Sequence, residues 1–226
     1  MTGPMRNVRI WDLPTRVFHW LLAAAVIASV VTAKIGGNAM EWHFRSGYLI
    51  FTLLIFRLLW GLFGGYWSRF ARFTYAPSTV LRYLRGTVGP DEHLDVGHSP
   101  LGAGSVFALL AFLVAQVGSG LFADDEIANA GPLVRFVSGA TSSLLTGWHK
   151  NFGQWIIVAL VVLHVGAILF YRFKKGSNLV GPMISGDKML GGGVPASADR
   201  FAHRATALVL VALCAAGVGW LVSLGG

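Results

Sequence analysis

Four histidines set the chemistry this sequence could do. His149 stands at the mouth of an apolar run, GWHKNFGQWIIVALVVLHVGAILFYRF at 147–173, and His164 lies well inside it. An ionisable side chain within a membrane-length apolar segment is costly and by default marks function. On a helix, the 15 residues from His149 to His164 give a rise of roughly 22 Å and an angular offset of about 60°. Both rings can therefore face one side of a single helix at two depths. His19 and His43 occupy two further apolar segments, so the chain carries four candidate ligands for a metal centre.

The elements that must position them are transmembrane helices. With 54% hydrophobic and 12% charged residues in 226, the chain is too apolar for an ordinary soluble domain. Five stretches approach the length of about 20 apolar residues that a spanning helix needs: roughly 17–34, 46–64, 101–122, 152–171 and 205–224. The expected fold is an all-α integral membrane protein. Residues 1–190 would form a four-helix transmembrane bundle, and 191–226 a linker and an additional C-terminal transmembrane helix.

The formal charge of +8 does not point to nucleic acid, because the basic residues form no single patch interleaved with aromatics. Arg6, Arg9 and Arg16 precede the first span. Arg69, Arg72, Arg82 and Arg85 lie between the second and third, and Arg172, Lys174, Lys175, Lys188, Arg200 and Arg204 between the fourth and fifth. The opposite loops carry Lys34, Arg45, Arg135 and Lys150 beside Glu41, Asp124, Asp125 and Glu126. By the positive-inside rule the N-terminus is cytoplasmic and the C-terminus lies outside. A basic start followed by an apolar run and Val31-Thr32-Ala33 also has features of a secretory signal, but the long segment ahead of it, with Trp11 and Asp12, and the histidine within it favour a retained span. Cys214 is the lone cysteine, so there is no disulfide framework and no CxxCH for covalent haem attachment.

This topology sorts the histidines by depth. His43 is at the outer mouth of span two, level with His149 at the outer mouth of span four. His19 lies 15 residues before Lys34, again roughly 22 Å from the outer end, at the depth of His164. Two cross-bundle pairs emerge, His43 with His149 near the outside and His19 with His164 deeper. Stacked bis-histidine pairs in an apolar bundle suit haem iron, since neutral imidazole ligates iron and a flat apolar macrocycle can sit between helices. Gly47 and Gly153 each follow an outer histidine by four residues on the same face. Without a Cβ they let a flat ring lie against the backbone, or let helices pack closely. Arg57 is 14 residues after His43, roughly 21 Å deeper and about 40° off in angle. There it could meet a haem propionate or snorkel to the cytoplasmic surface. No side chain is needed as a catalytic acid or nucleophile.

The rest of the chain reads more plainly. His93, His98 and His203 fall in connections and read as solvated, and most tryptophans as interfacial anchors. PSTVLRYLRG at 77–86 reads as a short amphipathic helix with Ser78 as candidate cap, and GGGVP at 191–195 as a flexible approach to span five. Residues 124–147 read as the largest external loop, acidic at its start and a candidate docking surface.

These stretches together resemble a known family. RIWDLPTRVFHWLL, HFRSGYLIFTLLIFRLLWGLFGG followed by RF, PLGAGSVFALLAFLVAQVGSGLF with DDEIANAGPL, and the block HKNF...LHVGAILFYRF...LVGPMISGDK are similar to the bacterial cytochrome b561 family, which includes the cytochrome b subunits of nickel-iron hydrogenases. The resemblance covers nearly all of 6–190. It implies four core helices holding two non-covalent b-type haems that carry electrons between the quinone pool of the inner membrane and a redox partner, such as a c-type cytochrome, a dehydrogenase or a hydrogenase-like subunit. The family's ligand positions fall on His19, His43, His149 and His164. The chain departs from the pattern in one respect: the fourth-helix histidines of that family are commonly 14 residues apart, against 15 here. The competing reading is a transporter or proton channel that relays protons through intramembrane histidines. It would call for discontinuous helices and buried acids, and the spans hold no Asp or Glu well inside.

Overall fold

The structure, a computed structural model, describes residues 4–89, 92 and 94–225. In chain order the elements are β1 (Arg6–Arg9), α1 (Leu13–Ile35), α2 (Met40–Phe63), α3 (Pro77–Leu84), α4 (Pro100–Leu121), α5 (Gly139–Gly147), a π-helical turn (Trp148–Gly153), α6 (Gln154–Lys174), α7 (Val180–Ser185), β2 (Asp187–Leu190) and α8 (Phe201–Ser223). Among the described residues five helices are long and apolar enough to cross a membrane. The fold is that of an all-α integral membrane protein. Val162, Leu163, Leu208, Val209 and Leu213 are exposed on α6 and α8, as helices whose backbone bonds are satisfied internally can afford when lipid covers them. α2 is the most enclosed span, with Ile50, Leu53, Leu54, Phe56 and Trp60 all buried.

The chain forms two compact units, and each long helix contributes residues to both. The first unit comprises residues 1–17, 57–108 and 163–207. Here β1 pairs antiparallel with β2, Arg6 opposite Leu190 and Arg9 opposite Asp187. Val8, Ile10, Trp11, Val96, Leu190 and Val194 form a buried cluster against which Trp67 and Met183 pack. The turn between α7 and β2 is made by Gly186 at φ +91°, where a side chain would meet the Trp11 carbonyl.

Fully buried Asp12 organises this unit. Its Oδ1 accepts the Thr15 N–H at 2.8 Å, capping α1, and the Trp60 indole N–H at 3.1 Å. Its Oδ2 accepts the Gly65 N–H at 3.1 Å and the Ser68 hydroxyl at 2.6 Å. Since Ser68 donates there, the Thr15 hydroxyl must donate to Ser68 across their 2.7 Å contact. Four donors on two oxygens match an acceptor-only carboxylate and bind the start of α1 to the end of α2.

Several expectations are corrected here. The approach to α8 is not a loose linker: Ser197 donates its N–H to the Arg9 carbonyl and its hydroxyl to that of Ile10. Asp199 pairs with Arg9 at 2.7 Å and with Arg204 at 3.0 Å. Helix α3 begins two residues earlier than it would with Ser78 as its cap, with Ala76 as N-cap and Pro77 at the first position, where proline's fixed φ and missing N–H suit a helix start. His98 is packed between the rings of Trp11 and Phe73, at 4.7 and 4.3 Å between centroids, instead of lying in solvent. Trp11 and Trp60 are buried, not interfacial. His93 lies outside the described residues.

The second unit comprises 18–56, 109–162 and 208–226. The stretch read as one loop, 124–147, is in its second half a helix: Ser138 caps α5 by accepting the Thr141 N–H, and α5 runs through the π turn into α6. The true loop is compact. Asp125 accepts the N–H groups of Ile127, Ala128 and Asn129 and the Asn129 amide. That amide and those N–H groups hold its carboxyl well below the usual carboxylate range.

Candidate haem site

Within the second unit the structure brings together His43 from α2 and His149 from the π turn. Their rings lie 5.9 Å apart between centroids and 82° apart in plane. The Nδ1 of His43 is 2.9 Å from the Ser29 carbonyl, and the Nδ1 of His149 is 2.8 Å from the Gln116 carbonyl. A carbonyl can only accept, so each Nδ1 carries the proton. Each Nε2 is therefore the lone-pair nitrogen, the tautomer in which histidine ligates a metal while its other nitrogen is anchored by a backbone oxygen. Ser29 and Ser119 place hydroxyls 3.1 and 3.4 Å from the same two Nδ1 atoms.

Both rings line a cavity of about 490 Å³, within the range of pockets that take cofactor-sized ligands. Apolar side chains, among them Phe44, Leu113 and Ile157, form part of its wall, and Lys34, Lys150, Asp124 and Asn129 line it as well. Two imidazoles on one iron, each at roughly 2 Å, would have ring centres about 6 Å apart, which the observed pair fits. The space beside Gly47 is open, for a Cβ added there would meet nothing within 4 Å and the residue lines the cavity.

Gly153 does something else. It is buried outside the cavity lining, and a Cβ there would fall on the Gln116 amide oxygen. The close approach to His149 is made instead by Gly120, where a Cβ would stand 2.8 Å from the ring's Cε1. Sequence reasoning missed Ser29, Gln116, Ser119 and Gly120 as site residues. One signal was available, since Gln116 is the sole amide side chain in the apolar helix α4.

His19 and His164 belong to different units. In the second unit His19 is half-buried and edge-on to Trp20 at 5.0 Å. In the first unit half-buried His164 has its Nδ1 3.5 Å from the Ser105 hydroxyl. Arg57, also in the first unit, is 3% exposed. Its guanidinium lies over the Phe70 ring at 4.6 Å and within electrostatic reach of Asp12.

A family model of prokaryotic cytochrome b561 matches residues 10–186. The chain belongs to the prokaryotic cytochrome b561 family. Cytochrome b561 proteins are membrane-embedded b-type cytochromes, so haem b and electron transfer follow from membership. Relatives include the probable Ni/Fe-hydrogenase B-type cytochrome subunit of Bradyrhizobium diazoefficiens, 22% identical with 80% of this chain and 86% of that protein covered. The protein of the same description from Cupriavidus necator is 25% identical, with 78% and 85% covered. That from Rhodobacter capsulatus is 24% identical, with 80% and 81% covered. No solved structure matches the chain.

The π turn bears on the one departure from the family's spacing. A π turn holds one residue more than an α turn. His149 stands in that turn, at the second of its six residues.

Proposed function

We propose that this chain is a di-haem electron-transfer subunit of the bacterial inner membrane, with its N-terminus cytoplasmic and its C-terminus periplasmic. The observation that carries the reading is the His43–His149 pair, with both Nδ1 protons held by backbone carbonyls and both Nε2 lone pairs left for iron. His43 and His149 would hold the outer haem, with Gly47 giving room for the macrocycle. Lys34 and Lys150 would neutralise its propionates. His19 and His164 would hold the inner haem, with Arg57 as propionate partner.

When bound, haem b supplies reversible one-electron exchange at its iron. The chain supplies the rest. Serine and carbonyl contacts fix each ligand's tautomer, and the apolar wall excludes water and sets the local dielectric. Two haems so held would pass electrons between a quinone and an external partner. The hydrogenase subunits among the relatives support a hydrogenase-like partner; a dehydrogenase or a c-type cytochrome is the other class of partner for the same surface.

The deciding experiment is a pyridine haemochrome assay on detergent-purified protein with a reduced-minus-oxidised spectrum. About two low-spin, non-covalent b haems per chain are expected. A folded, fully expressed protein without haem would overturn the proposal.

A further inference from the structure

The π turn that carries His149 does not hold itself together alone. Moving from an i→i+4 to an i→i+5 register takes carbonyls out of the regular ladder, and side chains must serve them. The Gln116 amide N–H donates to the His149 carbonyl at 3.0 Å. The Gln116 main-chain carbonyl in turn accepts the His149 ring N–H at 2.8 Å. One residue thus holds His149 by its backbone and by its ring. The Ser119 hydroxyl donates to that same Gln116 carbonyl at 2.9 Å. Gly153 closes the arrangement, because the Gln116 amide oxygen occupies the space its side chain would need. A larger residue at 153 and the observed position of the Gln116 amide are mutually exclusive.

We infer that Gln116 is the positioning residue for His149, and that Gly153 exists to admit its amide. The inference rests on the reading of His149 as an iron ligand. Gln116 lines the same cavity as His149 and would act on the iron through that histidine. It sets the direction in which the His149 Nε2 points, and hence the angle between the His149 and His43 rings.

The test uses the full-length, haem-loaded protein in detergent, with Gln116→Leu, Gly153→Ala and the double variant. The readouts are the low-spin EPR signal and the midpoint potential of each haem, because ring orientation and hydrogen bonding to the ligand move both. Gln116→Leu should keep wild-type haem content yet shift the outer haem's g value and potential, leaving the inner haem unchanged. Gly153→Ala should shift the same signal in the same direction. Because both act through one amide, the double variant should shift it no further than the larger single change. An unchanged outer signal in Gln116→Leu overturns the inference, as do two additive shifts. If Gln116→Leu does not accumulate, Gly153→Ala decides by the same criterion. His149→Ala separates the two levels: retention of both haems there would refute the ligand reading itself, whereas loss of one haem beside an unaltered Gln116→Leu refutes only the role of Gln116.

Discussion

The imidazoles of His43 and His149 stand edge to face, 82° apart in plane, and each is tied by Nδ1 to the carbonyl of a different helix, Ser29 in α1 and Gln116 in α4. Four elements thus meet at this pair: α2 and the π turn carry the two imidazoles, and α1 and α4 supply the carbonyls that orient them.

Replacing a ligand should remove its haem and spare the other. His43→Ala and His149→Ala should each leave roughly one haem per chain, as should His19→Ala and His164→Ala for the inner site. Haem-to-protein ratio and EPR identify which haem has gone. Full haem content in all four variants would show that the ligands lie elsewhere.

Gly120→Ala should disturb the outer haem, because the new methyl would sit 2.8 Å from His149 Cε1 and 3.1 Å from its Nδ1. Ring or helix must give way, so the outer haem's spectrum shifts or its occupancy falls. Gly104→Ala, in the same helix and with nothing within 4 Å of the added carbon, is the matched control and should leave the spectrum alone.

Arg57→Leu should move the inner haem's potential or occupancy more than the outer's if the proposed propionate contact holds, since loss of that buried cation would destabilise the anion and alter the charge seen by the iron. Redox titration of both haems tells them apart. An equal effect on both would rule out the propionate contact.

Asp12→Ala leaves the Thr15 and Gly65 N–H groups, the Trp60 indole and the Ser68 hydroxyl without their acceptor, and takes a carboxylate from the reach of Arg57. A cost of about 3 to 5 kcal/mol is expected, as when one partner of a buried charge arrangement is removed. Denaturant or thermal unfolding in detergent measures it, and a variant as stable as wild type would contradict the bonding pattern.

Acid should release the clasp at the start of α8. Burial pushes the Asp199 carboxyl up, but its hydrogen bonds from Arg204 and the Leu13 N–H, with the charges of Arg204 and Arg9, outweigh this and hold it below the ordinary value. A depressed folded-state pKa contributes stability that is present above the unfolded value of about 3.9 and lost as pH falls through the folded value. Proteolysis of 191–199 should therefore rise in Asp199→Asn already at neutral pH. In the wild type it should rise only in strong acid, tested with an acid-active protease.

What could be read from the sequence was set by long-range physics of simple form. Hydrophobic length gave the spans, and the depth argument put His43 level with His149. The π turn was not legible, because WHKNFG contains no proline or other marker and the turn depends on an amide reaching across from α4. Nor was β1–β2, two four-residue strands far apart in sequence. Asp12 could have been read as a cap, standing directly before Leu13-Pro14 at the start of an apolar helix. Ser78 failed as a cap because Pro77 takes the first helical position.

The β1–β2 pairing has a consequence for biosynthesis. Arg9 and Asp187 are 178 residues apart in the chain, so β1 leaves the ribosome roughly 10 to 40 s before its partner at ordinary elongation rates. Through that interval α1, α2, α4 and α6 emerge and can enter the bilayer, while the N-terminal segment waits without a strand to join. Closure of this small sheet must therefore wait until residues 187–190 have been made, after four of the long helices have already left the ribosome.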